Sequence, residues 1–372
     1  MVIGLGGLGS VTLELLAREP SIERIVATAR DPARGRAACN TATLGAMAQG
    51  CRPVIEFEPL DVRDVPTVAR VVERIRPDII FTSVTLQSWW RPYRLPAARR
   101  EPLLRAGFGV WLPVHLALTI DLMRALRGTG WRGHVLTAPF PDVVNPVLAR
   151  IELAPTCGVG NLDEIVPKVR LLAAHRLGCD PDAVAVQLVA HHALWREALG
   201  HARRRDGDAG GRALPPFHVR VEHAGTDVTE AVRARELLLE PFPVPAGPAT
   251  HFLTAGSTVR LGRALLLEED THLHVPGPGG LPGGYPVIVS RAGVRVAPVP
   301  GLTRDEAIAI NEQSHRFDGV ERIEPDGTVV FVDESADILA ETLGYDCRRL
   351  PVADVPDRAE ELLRKFGEFA VA

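Results

Sequence analysis

The sequence predicts a doubly wound parallel α/β sheet followed by a second α+β domain, on three observations. The chain has 372 residues and is 46% apolar, long enough for two packed domains sharing a cleft. Short apolar runs alternate with amphipathic stretches through its first half, the rhythm of βαβ units. A glycine-rich turn, Gly4-Leu5-Gly6-Gly7-Leu8-Gly9, stands between the first strand and the first helix.

Taken in order, Val2 to Leu5 reads as a strand, Ser10 to Arg18 as a helix and Arg24 to Thr28 as a second strand. Val54 to Leu60 is a third strand, Val65 to Ile75 a helix and Asp78 to Val84 a fourth strand. The long apolar helix Pro113 to Arg127 and the strand His134 to Ala138 complete this half. The first strand is short, either truncated or opened by a start codon further upstream. After about residue 150 the rhythm changes, which divides the chain into a dinucleotide-binding domain, 1–150, and a substrate domain, 151–372. There a helix, Leu162 to Leu177, leads into the strand Ala183 to Ala190. Arg203 to Arg212 is a polar, glycine-rich loop. Phe217 to Glu222, Val287 to Val289 and Gly327 to Val332 read as strands, with helices at Asp305 to Ser314 and Pro356 to Phe366.

Composition narrows the function. The net charge is -4 and lacks the basic excess of a nucleic-acid binder. Lys168 and Lys365 are the only lysines, so the many arginines reflect codon usage rather than phosphate affinity. The most apolar stretch, Phe108 to Met123, is broken by Pro113, His115 and Asp121, and no membrane span or secretory leader is expected. Cys39, Cys51, Cys157, Cys179 and Cys347 are scattered with no CxxC pair, which suits reduced thiols in a cytoplasmic protein. The expected partners are a small-molecule substrate and further copies of the chain, as a homodimer or higher homo-oligomer.

The glycine turn fits GxGxxG, in which one glycine permits the turn, one admits a pyrophosphate and one lets helix and strand pack closely. Amides at the start of the following helix would face the phosphates. Gly4, Gly6, Gly7, Leu8 and Gly9 are therefore candidate cofactor residues, joined by Val84 at the end of the fourth strand. The second strand ends Thr28-Ala29-Arg30-Asp31, with Arg34 and Arg36 beyond. Small Thr28 and cationic Arg30 favour NADP(H) over NAD, although Asp31 would serve a ribose if the strand ran one residue further.

The order GLGGLG, Val144-Asn145-Pro146, Asn161-Leu162-Asp163 and Val189-Ala190-His191-His192 resembles the lactate/malate dehydrogenase superfamily. The stretch Ala174 to Pro181 and the segment Gly280 to Val287 (GLPGGYPV) are similar in character, so the resemblance covers roughly residues 1 to 300. It implies that His192 is the proton donor and acceptor, that Asp163 orients it, and that Asn145 lies near the nicotinamide. Arg100 resembles the carbonyl-polarising arginine of a mobile lid, and Ser257 or Thr258 falls at a pocket-lining threonine. The chain departs from the family at Val166, where an arginine would grip a substrate carboxylate, and at His191 and Ala193 beside the histidine. Ordinary lactate or malate dehydrogenase activity is therefore not expected.

The residues support similar chemistry without the resemblance. Carbonyl reduction needs a proton source at oxygen, and a histidine beside a carboxylate serves near neutral pH. Neighbouring strand residues face opposite ways, so His191 and His192 compete for the role, and the resemblance selects His192. The segment Thr85 to Arg105, with Trp89, Trp90 and Tyr93, is placed to cover a site at the strand ends. His272 and His274 suit an ordinary strand as well as a metal pair, with no third ligand in view. The function expected is an NAD(P)-dependent oxidoreductase acting on a carbonyl or imine. Transient use of bound nicotinamide and a non-catalytic dinucleotide sensor are the competing readings.

Overall fold

A computed structural model describes residues 1–199, 213–245 and 247–371. The predicted loop Arg203 to Arg212 lies outside them. The first half runs β1 (Val2–Ile3), α1 (Gly7–Leu16), β2 (Arg24–Ala29), α2 (Pro32–Met47), β3 (Val54–Pro59), α3 (Val65–Ile75), β4 (Ile79–Thr82), α4 (Ala97–Arg105), α5 (Leu112–Arg127), β5 (His134–Thr137), α6 (Pro141–Arg150) and β6 (Cys157–Gly158). The six strands form one parallel sheet in the order β3-β2-β1-β4-β5-β6, the doubly wound arrangement whose strand order reverses beside β1.

Local chemistry accounts for most boundaries. Asp31 and Asp64 cap α2 and α3, each accepting backbone N–H bonds at 3.0–3.1 Å, and Pro32 and Pro66 sit in the first turns, where a missing N–H costs nothing. The helix α2 has no apolar stripe to announce it. It meets the sheet through Gly35, Cys39, Ala42 and Ala46, and a Cβ on Gly35 would lie 2.0 Å from the Phe57 ring. Helix α1 starts at Gly7 rather than Ser10, so the glycine turn is itself the first helical turn. The 19-residue run Gly109–Arg127 is apolar enough to pass for a membrane span, but most of it is buried within the protein.

The remaining elements are α7 (Leu162–Leu177), β7 (Val184–Val189), α8 (Trp195–Ala198), β8 (His218–His223), β9 (Thr226–Asp227), α9 (Ala234–Leu239), α10 (His251–Ala264), β10 (Thr271–Pro276), β11 (Gly284–Ser290), β12 (Gly293–Val296), α11 (Arg304–Ser314), β13 (Val320–Ile323), β14 (Val329–Phe331), α12 (Asp333–Leu343), β15 (Arg349–Leu350) and α13 (Val355–Val371). They build three antiparallel sheets of three strands each, β7-β8-β9, β10-β11-β12 and β13-β14-β15.

The boundary expected near residue 150 needs correction in two respects. Strand β6 still belongs to the first sheet. The last segment, from Val320 to Phe366, shares one apolar core with Ile3 through Leu153, and Trp111 meets Phe366 edge-on at 5.2 Å. The chain therefore returns to its first half, because the exposed side of α5 needs apolar cover that α13 supplies.

Candidate functional site

One cavity of about 980 Å³ runs along the carboxyl edge of the parallel sheet. It is lined by the residue that follows every strand in turn: Gly4 after β1, Arg30 after β2, Leu60 after β3, Ser83 and Val84 after β4, Ala138 to Phe140 after β5, and Val159 after β6. Ligands in such sheets bind at this edge.

At one end lies the glycine turn. Gly4 holds φ +94°, and a Cβ on Gly9 would fall 1.8 Å from the Gly4 carbonyl oxygen, so Gly9 lets α1 pack on β1 and does not itself line the cavity. Gly6 caps α1 and would place a Cβ in open space. Gly7 faces the His251 imidazole, 2.8 Å from where its Cβ would stand. Gly4, Gly6, Gly7, Leu8 and Val84 thus gather at the expected place. Thr28 does not. It is fully buried within β2, and the cavity begins one residue later with Ala29, Arg30, Asp31 and Arg34. Asp31 uses its carboxylate to cap α2. Asp61 pairs with Arg63 at 2.6 Å, which holds its carboxyl below the usual range despite burial. No ion pair involves Arg30 or Arg34 among the described residues.

At the other end stands His192. Its Nδ1 lies 2.7 Å from Asp318 Oδ2, and its backbone N–H donates to Asp142 Oδ1 at 2.8 Å. Phe108 and Phe140 flank the ring at 4.8 and 5.3 Å. Burial pulls the His192 pKa down, but the Asp318 charge and hydrogen bond, with Asp142 and Glu164 behind them, outweigh it and the net shift is upward. Burial likewise works to raise Asp318, and its two histidine neighbours overcome that and hold it ionised. The choice between the adjacent histidines is decided by exposure. The His191 side chain is fully buried and its Nδ1 accepts the Ala193 N–H at 3.2 Å, whereas the His192 side chain is 24% exposed on the cavity.

Asp163 is not the partner of His192. It is buried in the first turn of α7 and forms an ion pair with Arg260 of α10. Asn145 is not beside the cavity either. The Asn-Pro pair lies inside α6, where Asn145 Oδ1 accepts from Thr137 Oγ1 at 2.8 Å and Nδ2 donates to the Gly277 carbonyl at 3.2 Å. Phe140, opening α6 at φ +44°, takes the position after β5. The segment after β4 does cover the cavity, through Ser88, Trp89, Tyr93 and Leu104. Arg100 is not among its lining residues and points to the Tyr93 carbonyl at 3.5 Å. Ser257 accepts the Gly160 N–H and Thr258 bonds the Thr254 carbonyl, while Thr250, His251 and Thr254 line the cavity. His274 accepts the Leu188 N–H at 3.1 Å, and no metal-ligating cluster occurs among the described residues.

Val166 is sealed in the core at 1% exposure. The neighbouring Glu164 faces the cavity instead, its Oε2 accepting from Trp195 Nε1 at 2.7 Å and its Oε1 from Thr254 Oγ1 at 2.6 Å. Burial pushes its pKa up to about 7 against those two hydrogen bonds. Asp318 and Glu164 carry no motif that would have marked them. Glu164 adjoins the Leu-Asp pair, but nothing in α7 alone says which side chain turns inward.

No family model and no curated protein matches the sequence. Solved structures do match the fold. Lactate dehydrogenase from Eimeria maxima, solved with NADH and oxamate, is 10% identical with a TM-score of 0.55, covering 84% of this chain and 89% of its own. Malate dehydrogenase from Plasmodium falciparum is 11% identical with a TM-score of 0.54, covering 98% of both chains. Malate dehydrogenase from Cryptosporidium parvum is 13% identical with a TM-score of 0.54, covering 85% of this chain and 95% of its own. The fold is that of the lactate and malate dehydrogenases.

Proposed function

We propose that this chain is an oxidoreductase of the nicotinamide-dependent kind, preferring NADP(H), that interconverts a carbonyl or imine with an alcohol or amine. The observation that carries the reading is a single cavity with a GxGxxG turn at one end and a histidine–carboxylate pair at the other. Similar folds solved with NADH support it.

A dinucleotide suits the residues present. Open space at Gly6 and the start of α1 would receive a pyrophosphate, with backbone N–H groups as donors. Small Ala29 leaves room beside β2, and Arg30 and Arg34 would meet a ribose phosphate. When bound, the nicotinamide supplies or accepts a hydride at the substrate carbon. His192 manages the accompanying proton. With Nδ1 held by Asp318, its Nε2 is the free position, and the imidazolium donates from there to the oxygen that gains charge on reduction. Asp318 stays ionised throughout and stabilises the cation. The aromatic walls keep water from the reacting centre.

A simple 2-hydroxy acid is a poor substrate for this site. Val166 offers no cation to its carboxylate, and the large, aromatic cavity suits a bulkier apolar molecule. The test is a titration with NADPH and NADH, followed by a screen of carbonyl compounds with nicotinamide absorbance as readout. Tight NADPH binding with turnover of a bulky carbonyl is expected; failure of both dinucleotides to bind removes the reading.

A further inference from the structure

The charged side chains lining the cavity differ in how they are compensated, and Arg196 and Glu197 of its lining are exposed to solvent. At the glycine-turn end, Arg30 and Arg34 remain after Asp31 has capped α2 and Asp61 has paired with Arg63. At the His192 end, Asp318 is matched by His192, which leaves Glu164 as the enclosed carboxylate. Its two donors, the Trp195 indole and the Thr254 hydroxyl, are both neutral. Among the described residues no basic side chain forms an ion pair with it. Gly160, at φ +79°, lets the carboxylate approach so closely that a Cβ there would lie 2.7 Å from Oε1. The carboxylate is therefore held by two donors, keeps further acceptor capacity, and lines the cavity.

We propose that Glu164 is a substrate-recognition residue that receives a protonated amine, so that the substrate class is an amino alcohol or amino ketone with an apolar body. An enclosed carboxylate held only by neutral donors gains most from a cation, which restores the charge compensation that burial removes. The apolar part would lie against Trp89, Phe108 and Trp195, which share the cavity. On this part of α7, Val166 turns into the core and Glu164 faces the site, so the helix presents an anion and no cation to a substrate. The reacting group rests on the oxidoreductase reading; the amine site does not.

Three probes of one skeleton separate the charges: 2-amino-1-phenylethanol (cation), 1-phenylethanol (neutral) and mandelate (anion). Their affinities are measured by calorimetry on the wild type and Glu164→Gln, with and without NADP+. The cation is expected to bind at least tenfold tighter than the neutral probe, mandelate weakest, and Glu164→Gln to abolish the cation's advantage. Equal or tighter binding of the neutral or anionic probe to the wild type overturns the proposal, as does a cation advantage that survives Glu164→Gln. The wild-type ranking stands even if the variant does not fold. Absorbance at the nicotinamide band is read separately. Cation-selective binding by a protein that binds neither NADPH nor NADH leaves the amine site and removes the oxidoreductase reading, whereas dinucleotide binding and turnover without charge preference do the reverse.

Discussion

Asp318, in the turn before β13, holds the Nδ1 of His192 at 2.7 Å across 126 residues of sequence. The last segment of the chain thereby completes a site whose other parts come from the strand ends of the parallel sheet and from α7, α8 and α10 with the turns before them. Asp318 keeps His192 charged to higher pH than a free histidine, and His192 keeps Asp318 ionised to lower pH than a free aspartate.

The signs of these shifts set the pH behaviour. Stability from the raised His192 is complete below the unfolded value and lost as pH rises through the folded one. Stability from the depressed Asp318 is present above the unfolded value and lost as pH falls through the folded one. Reductive turnover should fall as His192 loses its proton, and Asp318→Asn should move that limb to lower pH. The variant should also lower kcat by roughly 10²–10⁴-fold and stability by about 3–5 kcal/mol. A pH–rate profile with an unmoved limb would rule out the pairing as the source of the shift.

Asp163→Asn is the contrasting variant. It breaks an ion pair with Arg260 inside the protein, so melting temperature should drop by several degrees. The basic limb of the pH–rate profile should stay where it is in wild type. A shift equal to that of Asp318→Asn would restore Asp163 to the proton relay.

The two glycines of the turn should part company. Gly9→Ala drives a Cβ into the Gly4 carbonyl oxygen and should destabilise the fold, read as a lower denaturation midpoint. Gly6→Ala meets nothing in the protein and should fold normally while weakening NADPH by tenfold or more, since the methyl intrudes where the phosphates would approach. Calorimetry that finds NADPH affinity intact in Gly6→Ala would remove the pyrophosphate from this turn.

Arg30→Ala should weaken NADPH by about tenfold or more, the scale of one charge-assisted hydrogen bond, and leave NADH nearly unchanged. Equal losses for the two dinucleotides would show that Arg30 does not read the extra phosphate.

Much of the fold was legible because its signals are local. The start of α3 is written in the capping Asp64 and its end in the Pro77 that follows Arg76, and α7 ends at Gly178 in the left-handed conformation. The helix α2 was not legible, since its buried face is Gly35, Cys39, Ala42 and Ala46, small residues that give no apolar period. Asn145-Pro146 misled for a related reason: a short motif fits many positions, and here it lies inside α6 rather than at its start.

The amino-acid order alone determined the alternation of strands and helices and the glycine turn, because backbone preferences act over a few residues. Which carboxylate meets His192, which arginine neutralises Asp163, and whether Val166 or Glu164 faces the ligand were decided only by docking of distant segments. A buried charge takes the partner that packing delivers, and packing brings together residues that sequence keeps far apart.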